Sequence, residues 1–263
     1  MKQEKQKATR TKIIAVSLVL TLTALALSTA AGASTSTTAS SFKSGFYLGA
    51  QAGYSQMKGK IDGVVDVDGP GGDTPPISAS NSGNKSKSRA VADILIGGRY
   101  ILKNGFSLGG DVSTGYDGNS IASTLYHPGI GPSGGTPFKN TLKRTYFILP
   151  SLVIGKTFSP RFLGFIKLGL SISRLKNEVH NIGGENFLRS SKTAIGFSPA
   201  IGLEYACNQK ISLLGTLCYE RFGNIKKIHK NITGQPVDAA SEYQSIFRKP
   251  QFFTVKFGVI IKI

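Results

Sequence analysis

Three histidines, two cysteines and one glycine-rich hexapeptide are the residues of this 263-residue chain whose types lend themselves to chemistry. Gly129-Ile130-Gly131-Pro132-Ser133-Gly134 has the glycine spacing of a dinucleotide-binding turn, in which backbone N–H groups cradle a phosphate. No strand–turn–helix pattern surrounds it, and Pro132 removes a donor, so it reads as a loop and no cofactor is expected. His127, His180 and His229 all fall in long connectors, without the His/Cys/Asp spacing of a metal site. Cys207 and Cys218 invite a disulfide in an oxidising compartment. Placed at a turn and far along its strand, they stand roughly 23 Å apart at about 3.3 Å per residue, against about 7 Å for a bridge. Two free thiols are expected, and no catalytic residue is assigned.

Charged residues are more informative, because their positions follow a pattern of alternation. In segments such as 45–55, 89–101, 106–116 and 162–174, apolar residues recur every second position, which is the period of a half-buried strand. Phe46, Leu48 and Tyr54 stand against Gly49, Gln51 and Ser55; Ile166, Leu168 and Leu170 stand against Lys167, Gly169 and Ser171. Similar alternation marks 144–156, 194–206, 211–222 and about 250–263. The polar phase collects Asp93, Asp111, Glu204 and Glu220 together with Arg99, Lys167, Lys256 and Lys262. Four acids against four bases would neutralise one another on a shared inner face, where an unpaired charge costs several kcal/mol. Arg144, Arg174 and Arg221 are expected on the outer face, at headgroup level. Tyr54, Tyr100, Tyr116, Tyr146, Tyr205 and Tyr219 near strand ends would form interfacial girdles in a chain that has no tryptophan.

Eight strands need seven connectors, and these alternate in length. Those around 102–105, 157–161 and 207–210 are tight; those at about 58–88, 117–143, 175–192 and 223–249 are long. Short turns at one end and long loops at the other describe an up-and-down barrel. In lipid a sheet must close, since no water satisfies an open edge. The fold expected is all-β: an eight-stranded antiparallel up-and-down transmembrane β-barrel, with side chains filling the lumen.

The ends and the overall charge fit export. Lys2, Lys5, Lys7, Arg10 and Lys12 precede an apolar run over 13–27 and then Ala31-Gly32-Ala33, the order of a cleaved secretory signal. About 15 apolar residues fall short of the roughly 20 that a spanning helix needs. The expected organisation is a signal peptide over 1–33, a disordered polar leader over 34–44 and a barrel over 45–263. The net charge of +18 leaves +14 once the signal's five bases and one acid are removed. That excess favours anionic partners; export excludes nucleic acid and makes lipopolysaccharide phosphates the nearest anions. Lys226, Lys227, Lys230, Arg248 and Lys249 in the last long connector are the expected contacts.

Gly45-Phe46-Tyr47-Leu48-Gly49-Ala50-Gln51-Ala52-Gly53-Tyr54, following a signal, resembles the first strand of eight-stranded outer-membrane barrels: the outer-membrane protein A barrel, opacity proteins and porin-family surface antigens. Phe165–Ser171 and Gly202–Tyr205 resemble strand phrases of that family. The resemblance implies the bacterial outer membrane and recognition of the last strand by the barrel-assembly machinery. Phe253, Phe257, Val259, Ile261 and Ile263 keep the expected alternation, with isoleucine where the family ends in an aromatic. No peptidoglycan-binding domain is expected. The leading function is a surface-exposed structural barrel, adhesin-like through basic extracellular loops, with a possible host surface ligand. A narrow channel for small solutes is the first alternative and a lipid A-modifying barrel the second. Lipid A deacylases carry a His-x-Ser-Asn phrase that none of the three histidines reproduces.

Overall fold

A computed structural model describes residues 42–67, 83–126, 137–181, 187–230 and 241–263. The signal, most of the leader, the glycine-rich hexapeptide and His127 lie outside the described residues. Ten strands form: β1 (Gly45–Val67), β2 (Gly83–Ile101), β3 (Phe106–Asp117), β4 (Ser120–Tyr126), β5 (Pro137–Ser159), β6 (Phe162–Asn181), β7 (Phe187–Ala206), β8 (Ile211–Phe222), β9 (Ile225–Lys230) and β10 (Ser241–Lys262). All described pairings are antiparallel. The order β1-β2-β3-β5-β6-β7-β8-β10 is closed by the pairing of β10 with β1. β4 continues the stave begun by β3, and β9 the stave begun by β8, so the barrel has eight staves.

The alternation read in the sequence becomes an apolar outer belt. Phe46, Ile94, Tyr100, Ile195, Leu203 and Phe257 are exposed on the exterior, while Asp93, Asp111, Ser113, Glu204 and Thr216 are buried inside. In β8 the outer residues run from Ile211 to Tyr219 before Arg221, nine residues, which matches the 9–11 of a tilted spanning strand. Tyr54, Tyr116, Tyr146 and Tyr219 mark the upper margin of the belt, and Phe46, Tyr100, Phe106 and Phe162 the lower.

Strands of 20 to 23 residues exceed that belt about twofold. Much of what reads as long loop is therefore strand: residues 58–67, 83–88, 137–143, 175–181, 187–192 and 241–249 continue their staves. His180 and His229 accordingly lie on β6 and β9, not in loops. Outward positions there turn polar, as at Lys139, Lys176 and Arg189, while Asn140, Leu142, Leu175 and Asn177 face inward, so the belt's apolar-out alternation does not continue into these extensions.

Above the belt the cylinder divides into two leaves. The β2–β3 ladder ends at Val91↔Asp117 and the β7–β8 ladder at Gly196↔Phe222. Beyond those points β9, β10, β1 and β2 form one leaf, and β4, β5, β6 and β7 the other. The two breaks fall at the same dipeptide, Gly118-Asn119 and Gly223-Asn224. Asn119 donates its side-chain amide to Ser55 O (2.8 Å), and its carbonyl accepts from Arg144 N–H (3.0 Å). Asn224 accepts from Lys249 N–H (3.2 Å) where β10 bulges, with Lys249 at φ 43°. At the base the leaves are joined by a buried cluster of Met57, Phe222, Ile225, Phe247 and Phe252 from one and Ile121, Leu142 and Leu175 from the other. Each such side chain contributes about 1.5–3 kcal/mol by burial.

Candidate functional site

A narrow barrel must fill its lumen, and this one does so in tiers. At the tight-turn end Arg99 makes a bidentate pair with Glu204 (2.5 and 2.8 Å), and Lys262 stands 3.9 Å from the same carboxylate. The Arg99 guanidinium lies over the rings of Tyr47 (5.2 Å) and Phe42 (5.7 Å), within cation–π range. Phe42 belongs to the leader expected to be disordered, yet it is buried with Tyr47, Leu95, Phe165 and Leu214. An apolar ring beside a buried guanidinium holds the last leader residues against the barrel mouth. Small residues make room for such rings: a Cβ at Gly97 would meet the Tyr47 ring at 2.6 Å, and one at Gly202 would overlap the Phe165 ring.

The waist holds two ion pairs. Lys167 Nζ reaches Asp111 Oδ2 at 2.5 Å and Lys256 Nζ reaches Asp93 Oδ2 at 2.6 Å; all four residues are buried. Tyr47 donates its hydroxyl to Asp111 at 3.4 Å. Cavities of ≈ 20 Å³ remain beside these pairs, one lined by Arg99, Asp111, Lys167 and Glu204, another by Gln51, Asp111, Thr216 and Lys256. That volume admits on the order of one water each.

The upper tier is centred on Arg144, which is 1% exposed. It donates to both oxygens of Glu220 (2.9 and 2.7 Å) and to Asp117 (3.4 Å), between the rings of Phe147 (4.3 Å) and Phe252 (4.5 Å). Ser55 donates to Asp117 and accepts from Thr254, which extends the network across β1 and β10. Arg144 was expected outside, at headgroup level. The register slips between Arg144 and Tyr146, so Thr145 is an extra residue and reverses the phase of β5. Tyr146 stays outside and Arg144 turns in. Arg174 and Arg221 do lie exposed at the upper margin.

The lumen thus brings together all eight charged residues read from the alternation, and adds Arg144 and Asp117. Asp117 shares the parity of Asp111 and Ser113 and stood one residue past the segment in which alternation was followed. Arg144 had no such signal, because a bulge inverts parity without changing composition. Five acids then face five bases, so the +14 excess lies outside the lumen. Cys218 is buried with its thiol 3.3 Å from Ser198 Oγ, while half-buried Cys207 sits at the lower turn; both are free. Burial raises the Cys207 thiol above its ordinary pKa. Among the described residues no group of three or more His, Cys, Asp or Glu converges as metal ligands.

The basic residues of the last long connector sit elsewhere. Arg248 and Lys249 are exposed at the β10 bulge, and Lys226, Lys227 and Lys230 are on β9, paired in register with Ile246, Ser245 and Glu242. Outside the lumen, the segments 56–90, 118–145, 174–195 and 221–251 hold seventeen lysines and arginines against eight carboxylates.

A closed eight-stave barrel with an apolar belt, aromatic margins and a self-neutralised lumen defines an integral outer-membrane β-barrel. Residues 20–244 match the family model described as outer membrane protein beta-barrel domain, and the chain belongs to that family, whose place is the bacterial outer membrane. No curated protein matches the sequence. Among solved structures it is similar to Neisserial surface protein A (18% identity, 84% of this chain, 98% of that one, TM-score 0.39). Two others are outer membrane protein OprG of Pseudomonas aeruginosa (11%, 85% and 99%, TM-score 0.47) and the attachment invasion locus protein Ail of Yersinia pestis (10%, 84% and 100%, TM-score 0.39).

Proposed function

We propose that this protein is a non-conducting, surface-exposed barrel that stabilises the envelope and docks anionic groups on its basic extracellular crown. The observation that carries this reading is the division of charge: the lumen neutralises itself, and the outer extensions carry seventeen bases against eight acids, the larger share of the excess, while Lys43, Lys103, Lys156, Arg161 and Lys210 carry the rest at the tight-turn end. Buried pairs across the waist, with cavities of ≈ 20 Å³ beside them, support a filled lumen. Exposed cations attract phosphates at long range and hold them through charge-assisted hydrogen bonds. Lipopolysaccharide phosphates are the nearest such groups, with Lys226, Lys227, Lys230, Arg248 and Lys249 as contacts, and an anionic host surface presents the same chemistry. β10, which closes the barrel, is the strand offered to the assembly machinery. Replacing those five cations with glutamine is expected to weaken binding of the refolded protein to lipopolysaccharide by about tenfold or more, with a flatter salt dependence. Unchanged binding would overturn the docking role, and stable openings in a planar bilayer would overturn the filled lumen.

A further inference from the structure

Above the belt β7 has a ladder on one side only among the described residues: 187–195 pair with β6, while the ladder to β8 has ended. Continuing that ladder in its own register would put Lys192 opposite Lys226 and Arg189 opposite His229. Like charges directly opposite one another, as Lys192 and Lys226 would be, destabilise a sheet, which disfavours continuing this ladder. The other seam differs. Continuing β2–β3 would pair Lys87 with Ile121 and Ser86 with Ala122, and there β4 leans across to β1, with Ile121 packed close to Gly59.

The β7 edge also has a definite charge. Arg189, Ser191 and Thr193 point outward beside Arg174 and Lys176 of β6, and Lys192 is exposed on the opposite face. Glu178, 3.7 Å from Arg189, is the carboxylate among them. A strand edge presents N–H donors and C=O acceptors in alternation. A phosphate or sulfate accepts from the donors but offers the carbonyls nothing, whereas an extended peptide meets both and places alternate side chains on the two faces.

We propose that the edge of β7 over residues 187–195 takes up an extended acidic peptide segment as an added strand, with carboxylates beside Arg189 on one face and Lys192 on the other. This deepens the docking reading, and rests on it only for the exposure of this end of the barrel. The test uses the refolded full chain in micelles, a labelled peptide of alternating glutamate and threonine, and the same peptide N-methylated at alternate backbone amides. The unmodified peptide is expected to bind saturably, N-methylation to cost about tenfold or more, and Arg189→Glu or Lys192→Glu to cost as much. Lys103→Gln, at an exposed position in the tight turn at the opposite end, is expected to leave peptide binding unchanged. Equal binding of the two peptides would show charge attraction alone and overturn the proposal; so would no binding of either. Lipopolysaccharide binding without peptide binding would sink the added strand and leave the docking reading standing, and the converse would do the opposite.

Discussion

The lower and upper halves of this barrel are built from the same strands but solve opposite problems. In the belt every backbone group must be paired within the protein, because lipid offers no partner; the eight staves therefore close, and their charges are turned inward and matched. Above it water satisfies an open edge, so the ladders lapse at Gly118-Asn119 and Gly223-Asn224, two leaves part, and cations appear on the outside. A single polypeptide thus spends its pairing where solvent is absent and its charge where solvent is present.

The sharpest way to break this contrast is at the tier where the halves meet. Glu220→Ala leaves Arg144 buried against a neighbouring Asp117 at 3.4 Å and without its bidentate partner. Removing one member of a buried pair is expected to cost about 3–5 kcal/mol, read from urea unfolding of the refolded protein. Replacing Arg144, Asp117 and Glu220 together by apolar residues of similar volume is expected to recover most of that loss, since no charge is then stranded. If the single variant is as stable as the parent, the tier is not holding the halves together.

A smaller effect separates the two seams. Asn119 is buried and bonds to both β1 and β5, whereas Asn224 is exposed and holds one backbone N–H. Asn119→Ala is expected to cost about 1–3 kcal/mol, since it strips the amide donor from the buried Ser55 carbonyl while the backbone bond from Arg144 remains, and Asn224→Ala about 0.5–1 kcal/mol. Equal losses would mean that the seams are equivalent, against the asymmetry in which, among the described residues, β4 leans across one seam and the β7 edge stays without a second ladder.

The belt was legible in the sequence for a physical reason. A strand between lipid and a filled lumen has two unlike faces, so Ile166, Leu168 and Leu170 against Lys167, Gly169 and Ser171 declare both the strand and its phase. Tight connectors declared the lower end equally well. The upper half was hidden because water replaces lipid outside it, so the outward positions turn polar and the apolar-out alternation stops: the sequences of 58–67 and 241–249 read as loop. Arg144 was misplaced by one inserted residue, Thr145, and Phe42 by a polar neighbourhood that gives no sign of the Arg99 it covers. Repetition of Gly-Asn at residues 118 and 223 was visible in the chain, but its meaning needed the ladders that stop there.

Residue-resolved hydrogen exchange along β7 in micelles tests the central contrast most directly, because this one strand crosses both regimes. Amides of 196–206, paired on both sides or buried in the belt, are expected to be protected throughout. Over 187–195 protection is expected at alternate amides only, those donating to β6, while those on the open edge exchange rapidly. Uniform protection from 187 to 206 would mean that the cylinder stays closed above the belt, and would contradict the account.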